Sequence, residues 1–222
     1  MPVAIAIDGP AGAGKSTIAK LIANEKNLLY LDTGAMYRAC ALKAIRLGIS
    51  CKDNAAVTKM VKDTEISISF EGDTQQIFLD KENVTLLIRT PEISTGASDI
   101  SAITSIRLQM VEIQREIAKC NDVIMDGRDI GTFVLPKANI KIYLTASVDE
   151  RANRRVKEFH LKGMHHMVFD DVKKEIEYRD YNDSHRELAP LKKAEDAIEI
   201  DTTSKSIDEV VEEITAIINK KC

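Results

Sequence analysis

The run Gly9-Pro10-Ala11-Gly12-Ala13-Gly14-Lys15-Ser16, followed by Thr17, carries the clearest chemistry in the chain. It satisfies the pattern G-x-x-x-x-G-K-[ST]. Glycines let the backbone swing its N–H groups onto phosphate oxygens. A helix beginning here adds a partial positive charge of about 0.5 e at its N-terminus. Lys15 supplies a full charge for the β- and γ-phosphates, and the Ser16 hydroxyl is a ligand for Mg2+. The expected ligand of this loop is ATP or another nucleoside triphosphate. Asp8, just before the loop, either helps to order water or Mg2+ or simply begins the turn. The chain's one Asn-Lys pair, Asn219-Lys220, is followed by Lys221 and Cys222. The Asn-Lys-x-Asp sequence that reads guanine in switch proteins is therefore absent, and a kinase of a small molecule fits better.

A kinase also needs a place for the acceptor, and four further groups of residues offer one. In Asp32-Thr33-Gly34-Ala35-Met36-Tyr37-Arg38 a strand end turns into a helix, with Asp32 or Thr33 as its cap. The Thr33 hydroxyl, that helix N-terminus and Arg38 could share an anion, or be no more than a cap and a surface arginine. Asp126-Gly127-Arg128-Asp129 follows an apolar strand, and the C-terminal ends of parallel strands line ligand crevices. Ser98 and Arg107 lie nine residues apart, about 2.5 turns, so a straight helix points them different ways. On the residues alone, either the helix begins after Ser98 or one of the two is simply exposed. Arg179, Asp183 and Arg186 share a helix face at i, i+4 and i+7, as a phosphate clamp or as a surface salt-bridge ladder. Arg151, Arg154 and Arg155 share the face of a polar helix that could close over phosphates. Lysines outnumber arginines 20 to 11, yet eight of the 11 arginines fall in these groups. Arginine there and lysine elsewhere suits planar, bidentate binding of phosphate.

The elements that must hold these residues follow from apolar periodicity. Short apolar runs at Val3–Ile7, Leu28–Leu31, Asp122–Met125, Ile140–Leu144 and Ala197–Ile200 read as buried strands. Helical patterns separate them at about Lys15–Glu25, Thr33–Arg46, Pro91–Lys119, from Val148, Asp170–His185 and Ile207–Ile218. Strands alternating with helices predict an α/β fold, a parallel sheet covered on both faces. After Val61 the polar and apolar residues alternate, through Glu65–Phe70 and Gln76–Asp80, about the turn Glu71-Gly72-Asp73-Thr74. That is the pattern of an antiparallel hairpin inserted between helices.

Composition bounds the rest. The 222 residues are 44% hydrophobic and 30% charged, ordinary for a globular chain of one enlarged domain. A net charge of −4 argues against nucleic acid as the main partner, but not against a local basic pocket for a small phosphorylated ligand. No apolar run approaches a membrane span, and the N-terminus has no secretory pattern. Cys40, Cys51, Cys120 and Cys222 are scattered, so a reducing cytoplasm is expected. His160, His165 and His166 lack the companions of a zinc site.

Taken together, the chain resembles the bacterial cytidylate kinases, the CMP/dCMP kinases among the P-loop nucleoside monophosphate kinases. The likeness runs from Ile5-Ala6-Ile7-Asp8-Gly9-Pro10 to the C-terminal helix. It is most specific at Asp32–Arg38, at Asp126-Gly127-Arg128-Asp129-Ile130-Gly131-Thr132, and at Arg179-Asp180-x-x-Asp183-Ser184-x-Arg186 followed by Ala189-Pro190-Leu191. The resemblance implies a P-loop kinase fold within one domain, residues 1–222, with a five-stranded parallel sheet flanked by helices. It also implies a small β-containing acceptor-binding insertion at 62–90 and a helical lid at 151–169. Gly9, Pro10, Ala11, Gly12, Ala13, Gly14, Lys15, Ser16, Thr17 and Arg154 would bind ATP, with Mg2+ on Ser16. CMP would meet Thr33, Tyr37, Arg38, Ser98, Arg107, Arg128, Asp129, Arg179, Asp183 and Arg186. Of these, the resemblance puts Thr33, Arg38, Arg107 and Arg128 at the acceptor phosphate or its pocket, Ser98 and Arg107 at the cytosine or its surroundings, and Asp129, Arg179, Asp183 and Arg186 around the sugar and phosphate, with Asp183 at the pentose hydroxyls. Lys15, Arg128, Asp129 and Arg154 would act in catalysis. Lys81 and Asn83 stand where the family pattern leads one to expect Gly and Asp. The expected partners are ATP with CMP or dCMP, with neither nucleic acid nor membrane, and the expected state is a monomer. Two rivals share the motifs: a kinase of UMP, AMP or a non-nucleotide metabolite, and an ATP-gated binding protein without transfer.

Overall fold

A computed structural model describes residues 2–72 and 74–221. Asp73, in the expected hairpin turn, and Cys222 lie outside the described residues. The central sheet contains β1 (Ala4–Asp8), β2 (Leu29–Asp32), β6 (Val123–Gly127), β7 (Ile140–Thr145) and β8 (Ile198–Asp201). Its order is β2-β6-β1-β7-β8, and every pairing is parallel. Alternation along these strands feeds two cores at once. Ile5, Ile7, Ile124, Ile140 and Ile142 pack with α1 (Lys15–Lys26) and α8 (Ile207–Lys221) on one face. Ala6, Leu31, Val123 and Met125 pack with Val111 of α5 (Thr104–Cys120) on the other. Strands buried on both faces explain the continuous apolar runs. The register places Asp32 of β2 beside Asp126 of β6, and Asp8 of β1 beside Gly127. Three acidic or glycine-rich strand ends thus meet at one edge, where loops can reach a ligand.

A third core lies beside this sheet. It joins α2 (Thr33–Arg46), α3 (Asn54–Lys62), β4 (Thr74–Leu79) and α4 (Pro91–Ser101) through Met36, Cys40, Val57, Ile77 and Ile100. The expected hairpin is β3 (Ile66–Glu71) with β4, and β5 (Glu82–Asn83) adds a third antiparallel strand. Asp80 and Lys81 form the tight β4–β5 turn in left-handed conformation, with φ 49° and 71°. The turn therefore accepts lysine at a position that glycine occupies more easily. Helix α3 is not among the helices expected from the apolar pattern. Its signals are the Asp53 cap, which accepts from the Ala56 N–H at 3.0 Å, and the buried spacing Val57, Met60, Val61.

The single helix expected over Pro91–Lys119 is two helices, α4 and α5, broken at Ala102 and Ile103. Ile100, Ile103 and Ile106 all enter the third core. On a straight helix each step of three residues drifts by about 60°, which would carry Ile106 roughly 120° away from Ile100. The bend lets all three bury. Two more helices, α6 (Val148–Leu161) and α7 (Phe169–His185), pack on each other through Ala152, Phe159, Val172 and Ile176. Among the described residues no helix is long and apolar enough to cross a membrane.

Candidate active site

One cleft of about 1540 Å3 runs along the C-terminal edge of the central sheet. Its walls come from residues 11–18, the start of α2, the insertion around Thr85–Arg89, helices α4 to α7 and the start of α8. At one end lies the loop between β1 and α1. Gly9 has φ 147°, and a Cβ there would stand 2.0 Å from the Leu144 carbonyl oxygen. Gly14, at φ 90°, caps α1 with no side chain, so nothing of its own covers the first N–H groups of that helix. Lys15 is buried and donates to the Pro10 carbonyl at 2.6 Å. Burial, with the nearby Arg128 guanidinium, brings its amine down to about 7. Ser16 donates to Asp126 Oδ2 at 2.6 Å, and Tyr30 donates to Asp126 Oδ1 at 2.9 Å. Burial, together with the Asp32 carboxylate, pushes Asp126 up. A hydroxyl and a carboxylate thus stand side by side at the foot of the phosphate loop.

Asp8 is not part of this polar pair. Its two oxygens accept from the N–H groups of Ile130 (2.8 Å) and Gly131 (2.7 Å), at the start of a π-helical turn, Ile130–Val134. Neither sequence reading of Asp8, ordering water or Mg2+ or beginning the turn, anticipates this contact. The carboxylate anchors the segment after β6. Burial holds it at about 6 despite those two donors.

The other end of the cleft is lined by arginines and carboxylates. Asp129 Oδ1 pairs with Arg107 Nη2 and lies 3.3 Å from Arg186 Nη2. Asp183 accepts from Ser98 Oγ and from Arg128 Nε, both at 2.8 Å. Burial alone would raise Asp183, but Arg128, Arg179 and Arg186 outweigh it and hold the carboxyl below the usual range. Arg107 lies 5.7 Å from the centre of the Tyr37 ring, and burial pushes that phenol up to about 12. Arg38 reaches Asp32 Oδ2 at 2.6 Å, and Arg89 reaches the same oxygen at 2.9 Å. Asp32 caps α2 by accepting from the Ala35 N–H at 3.0 Å. Thr33 instead turns its hydroxyl onto the Asp126 carbonyl, 2.8 Å away. Asp129 Oδ2, Arg107 Nε, Arg179 Nε and Arg38 Nε are buried with no hydrogen-bond partner among the described residues. All four side chains line the cleft. Buried charged atoms are rarely left in that condition without a ligand, an ion or water to complete them.

A sequence model of the cytidylate kinase family matches residues 5–220. The chain belongs to the cytidylate kinase family. A protein named cytidylate kinase from Lactobacillus johnsonii is 53% identical over 98% of this chain and 94% of its own. One from Caldicellulosiruptor bescii is 50% identical over 97% and 95%. An uncharacterized protein from Eubacterium ventriosum, of known structure, covers 99% of both chains with TM-score 0.54 and 12% identity, which shows the fold alone. The fold is that of a P-loop kinase: a glycine-rich loop and its helix after the central strand of a five-stranded parallel sheet.

Against this family frame, several expectations change. Ser98 and Arg107 are 6% and 2% exposed, not surface residues. They lie on either side of the break between α4 and α5 and both line the cleft, where Arg107 Nη1 donates to the Ser101 carbonyl. Arg186 does not share a face of α7, because that helix ends at His185 and Arg186 is extended (φ −66°, ψ 146°). Asp183 binds neither neighbour in the expected ladder; Arg179 turns back to Glu175 at 3.6 Å. Of the three arginines expected on a lid, Arg154 pairs with Glu150 and donates to Thr202, and Arg155 pairs with Glu158. Arg151 is buried and donates to the Ala11 carbonyl, so it holds the loop instead of hanging over it. Arg89, Gln75 and Thr202 also line the cleft, although nothing in the sequence singles them out. Gln75 exchanges two hydrogen bonds with the backbone of Asp32. Only the burial of Gln75 gives it away, because its spacing resembles that of any strand residue.

Proposed function

We propose that the chain transfers the γ-phosphoryl group of ATP to CMP or dCMP, giving CDP or dCDP and ADP. One observation carries this reading. A single cleft has the Lys15 loop at one end and, at the other, the Arg107–Asp129–Arg186 and Ser98–Asp183–Arg128 groups. Two charged sites facing each other suit a donor and an acceptor phosphate, whereas a switch protein needs only one. Residues 9–17, with Arg154, bind ATP. Arg38, Arg128 and Arg179, with Thr33, hold the CMP phosphate. Ser98, Arg107, Asp129 and Arg186 read the base, with Tyr37 packed behind Arg107, and Asp183 meets the sugar hydroxyls. The three-stranded sheet and its flanks, 62–90, form the acceptor insertion, and 151–169 the lid.

The nucleophile is an oxygen of the CMP phosphate, already ionised at neutral pH, so no strong general base is required. The P–O bond to the new acceptor oxygen forms as the bond to the β-phosphate oxygen of ATP breaks, and ADP leaves with that electron pair. Lys15 must leave the Pro10 carbonyl to meet the phosphates, and the cleft arginines offset the charge on the transferred group. The Ser16 hydroxyl and the Asp126 carboxylate are hard oxygen donors and fit Mg2+, which ordinarily takes one or two protein oxygens and fills the rest with phosphate and water. When bound, Mg2+ neutralises phosphate charge. Cys40, Cys51 and Cys120 are unpaired, which fits a reducing cytoplasm. ADP release measured with CMP, dCMP, UMP and AMP tests the reading. CMP- and dCMP-dependent turnover supports it, a different preferred acceptor replaces it, and ATP binding without turnover on any acceptor overturns it.

A further inference from the structure

Against the phosphate loop, and not among the residues lining the cleft, stands an ion pair that the transfer reaction does not use. Arg151 Nη1, on α6, and Asp180 Oδ2, on α7, are 2.5 Å apart. Both also bind the backbone of one loop residue. Arg151 Nη1 donates to the Ala11 carbonyl at 3.0 Å, and Asp180 Oδ1 accepts from the Ala11 N–H at 3.2 Å. Arg151 is itself fixed by a bond from its Nε to the Ala146 carbonyl at 2.9 Å.

A trans peptide is planar, with its C=O and N–H pointing to opposite sides. Two peptide planes are therefore set by this one pair. Because Asp180 takes the Ala11 N–H, the Pro10 carbonyl faces the other way, and there Lys15 Nζ meets it at 2.6 Å. Because Arg151 takes the Ala11 carbonyl, the Gly12 N–H is turned away from Arg151. Gly12 is held against the clamp as well: it has φ 77°, and a Cβ on it would lie 3.1 Å from Arg151 Cβ. A phosphate loop works only if its N–H groups, not its carbonyls, face the anion. A peptide flip at Ala11 would put a carbonyl oxygen among the phosphates.

We propose that Arg151 and Asp180 are positioning residues that lock the peptides on either side of Ala11, so that the Gly12 N–H and not the Ala11 carbonyl faces the ATP phosphates while the Pro10 carbonyl stays on the Lys15 side. The proposal rests on the ATP-binding reading of the loop. It also explains why the lid arginine nearest the loop is buried instead of reaching for phosphate. Asp180 lies one turn before Asp183 on α7, so the helix that contacts the acceptor group also fixes the donor loop.

The test uses the full chain with Asp180→Asn, Arg151→Lys, Arg151→Met and the Asp180→Asn/Arg151→Met double variant. ATP and CMP binding are measured separately by calorimetry, and thermal melting is recorded for each. ATP affinity is expected to fall about 10–100-fold in Asp180→Asn and Arg151→Met, the range of hydrogen bonds to charged groups. CMP affinity should stay within twofold, Arg151→Lys should lose less, and the double variant should lose no more than the worse single one. A parent that binds ATP beside folded variants with unchanged ATP affinity overturns the clamp. Equal losses for ATP and CMP, or additive losses in the double variant, also overturn it, because either marks a general structural defect. A parent that binds no ATP overturns the reading of the loop itself, and a parent that turns over another acceptor leaves the clamp standing.

Discussion

Asp183→Asn isolates one carboxylate surrounded by cations. Asp183 and Arg128 have side chains 5% and 19% exposed, and the carboxylate also faces Arg179 and Arg186. Asparagine keeps the volume and leaves Oδ1 for the Ser98 hydroxyl, but sets an N–H against Arg128 Nε. With charge centres about 4 Å apart and an effective dielectric near 20, one such pair is worth about 4 kcal/mol. Relaxation and partial exposure of Arg128 reduce the cost of breaking it to about 3 kcal/mol. For a chain of this size that is a drop in Tm of about 6–12 °C. The pH dependence has a definite sign. Asp183 is held below its unfolded value, so its stabilisation is complete above that value, near 3.8, and disappears as pH falls through the depressed folded one. The gap in Tm between parent and variant should therefore be full at pH 7 and close in strong acid. CMP KM should rise about tenfold or more if the carboxylate also meets the sugar. Inorganic phosphate should restore part of the lost Tm, since it replaces the missing negative charge among the arginines. Melting curves and steady-state kinetics on both proteins decide the matter. A Tm within about 2 °C of the parent at pH 7, well below the estimate, would show that the cations around Asp183 are already relaxed, and the electrostatic account would be wrong.

Further outcomes are expected elsewhere in the cleft. Lys15 is held at about 7 by burial and by Arg128, and ATP phosphates restore its charge, so ATP binding at pH 8.5 should take up close to one proton and weaken as pH rises above 7. Calorimetry in buffers of different ionisation enthalpy reads this directly, and the absence of uptake at pH 8.5 refutes it. Tyr30→Phe removes only the hydroxyl that fixes Asp126 Oδ1, and should raise the Mg2+ needed for half-maximal ATP binding about tenfold while CMP affinity holds; an unchanged Mg2+ requirement removes Tyr30 from that role. Gly9→Ala drives a Cβ to 2.0 Å from the Leu144 carbonyl, so β1 and β7 must part. A loss of about 3 kcal/mol is expected from overpacking and backbone strain together, and a Tm equal to the parent's would contradict the local geometry.

Legibility in the sequence followed the range of the forces involved. Each strand of the central sheet is visible as a local apolar run, and the loop from Gly9 to Ser16 announces itself because glycine, lysine and serine at fixed spacing have few other uses. Helix α3 escaped because a nine-residue amphipathic helix shows too few apolar positions to stand out. The break at Ala102-Ile103 escaped because neither residue is a helix breaker; it exists so that Ile100, Ile103 and Ile106 can bury together.

By itself, then, the sequence determined the strands of the sheet and the phosphate loop, and drew attention to a group of charged residues, since these depend on periodicity and on chemistry carried within a few positions. Only the tertiary structure decided the partners. Asp183 meets Arg128 and Ser98, Asp129 meets Arg107 and Arg186, and Arg151 with Asp180 grips Ala11. The physical reason is that a charge pair forms between whichever groups packing brings within a few ångströms. A helix face offers several such neighbours to each charge, and the choice among them is made by contacts 22 to 169 residues away along the chain.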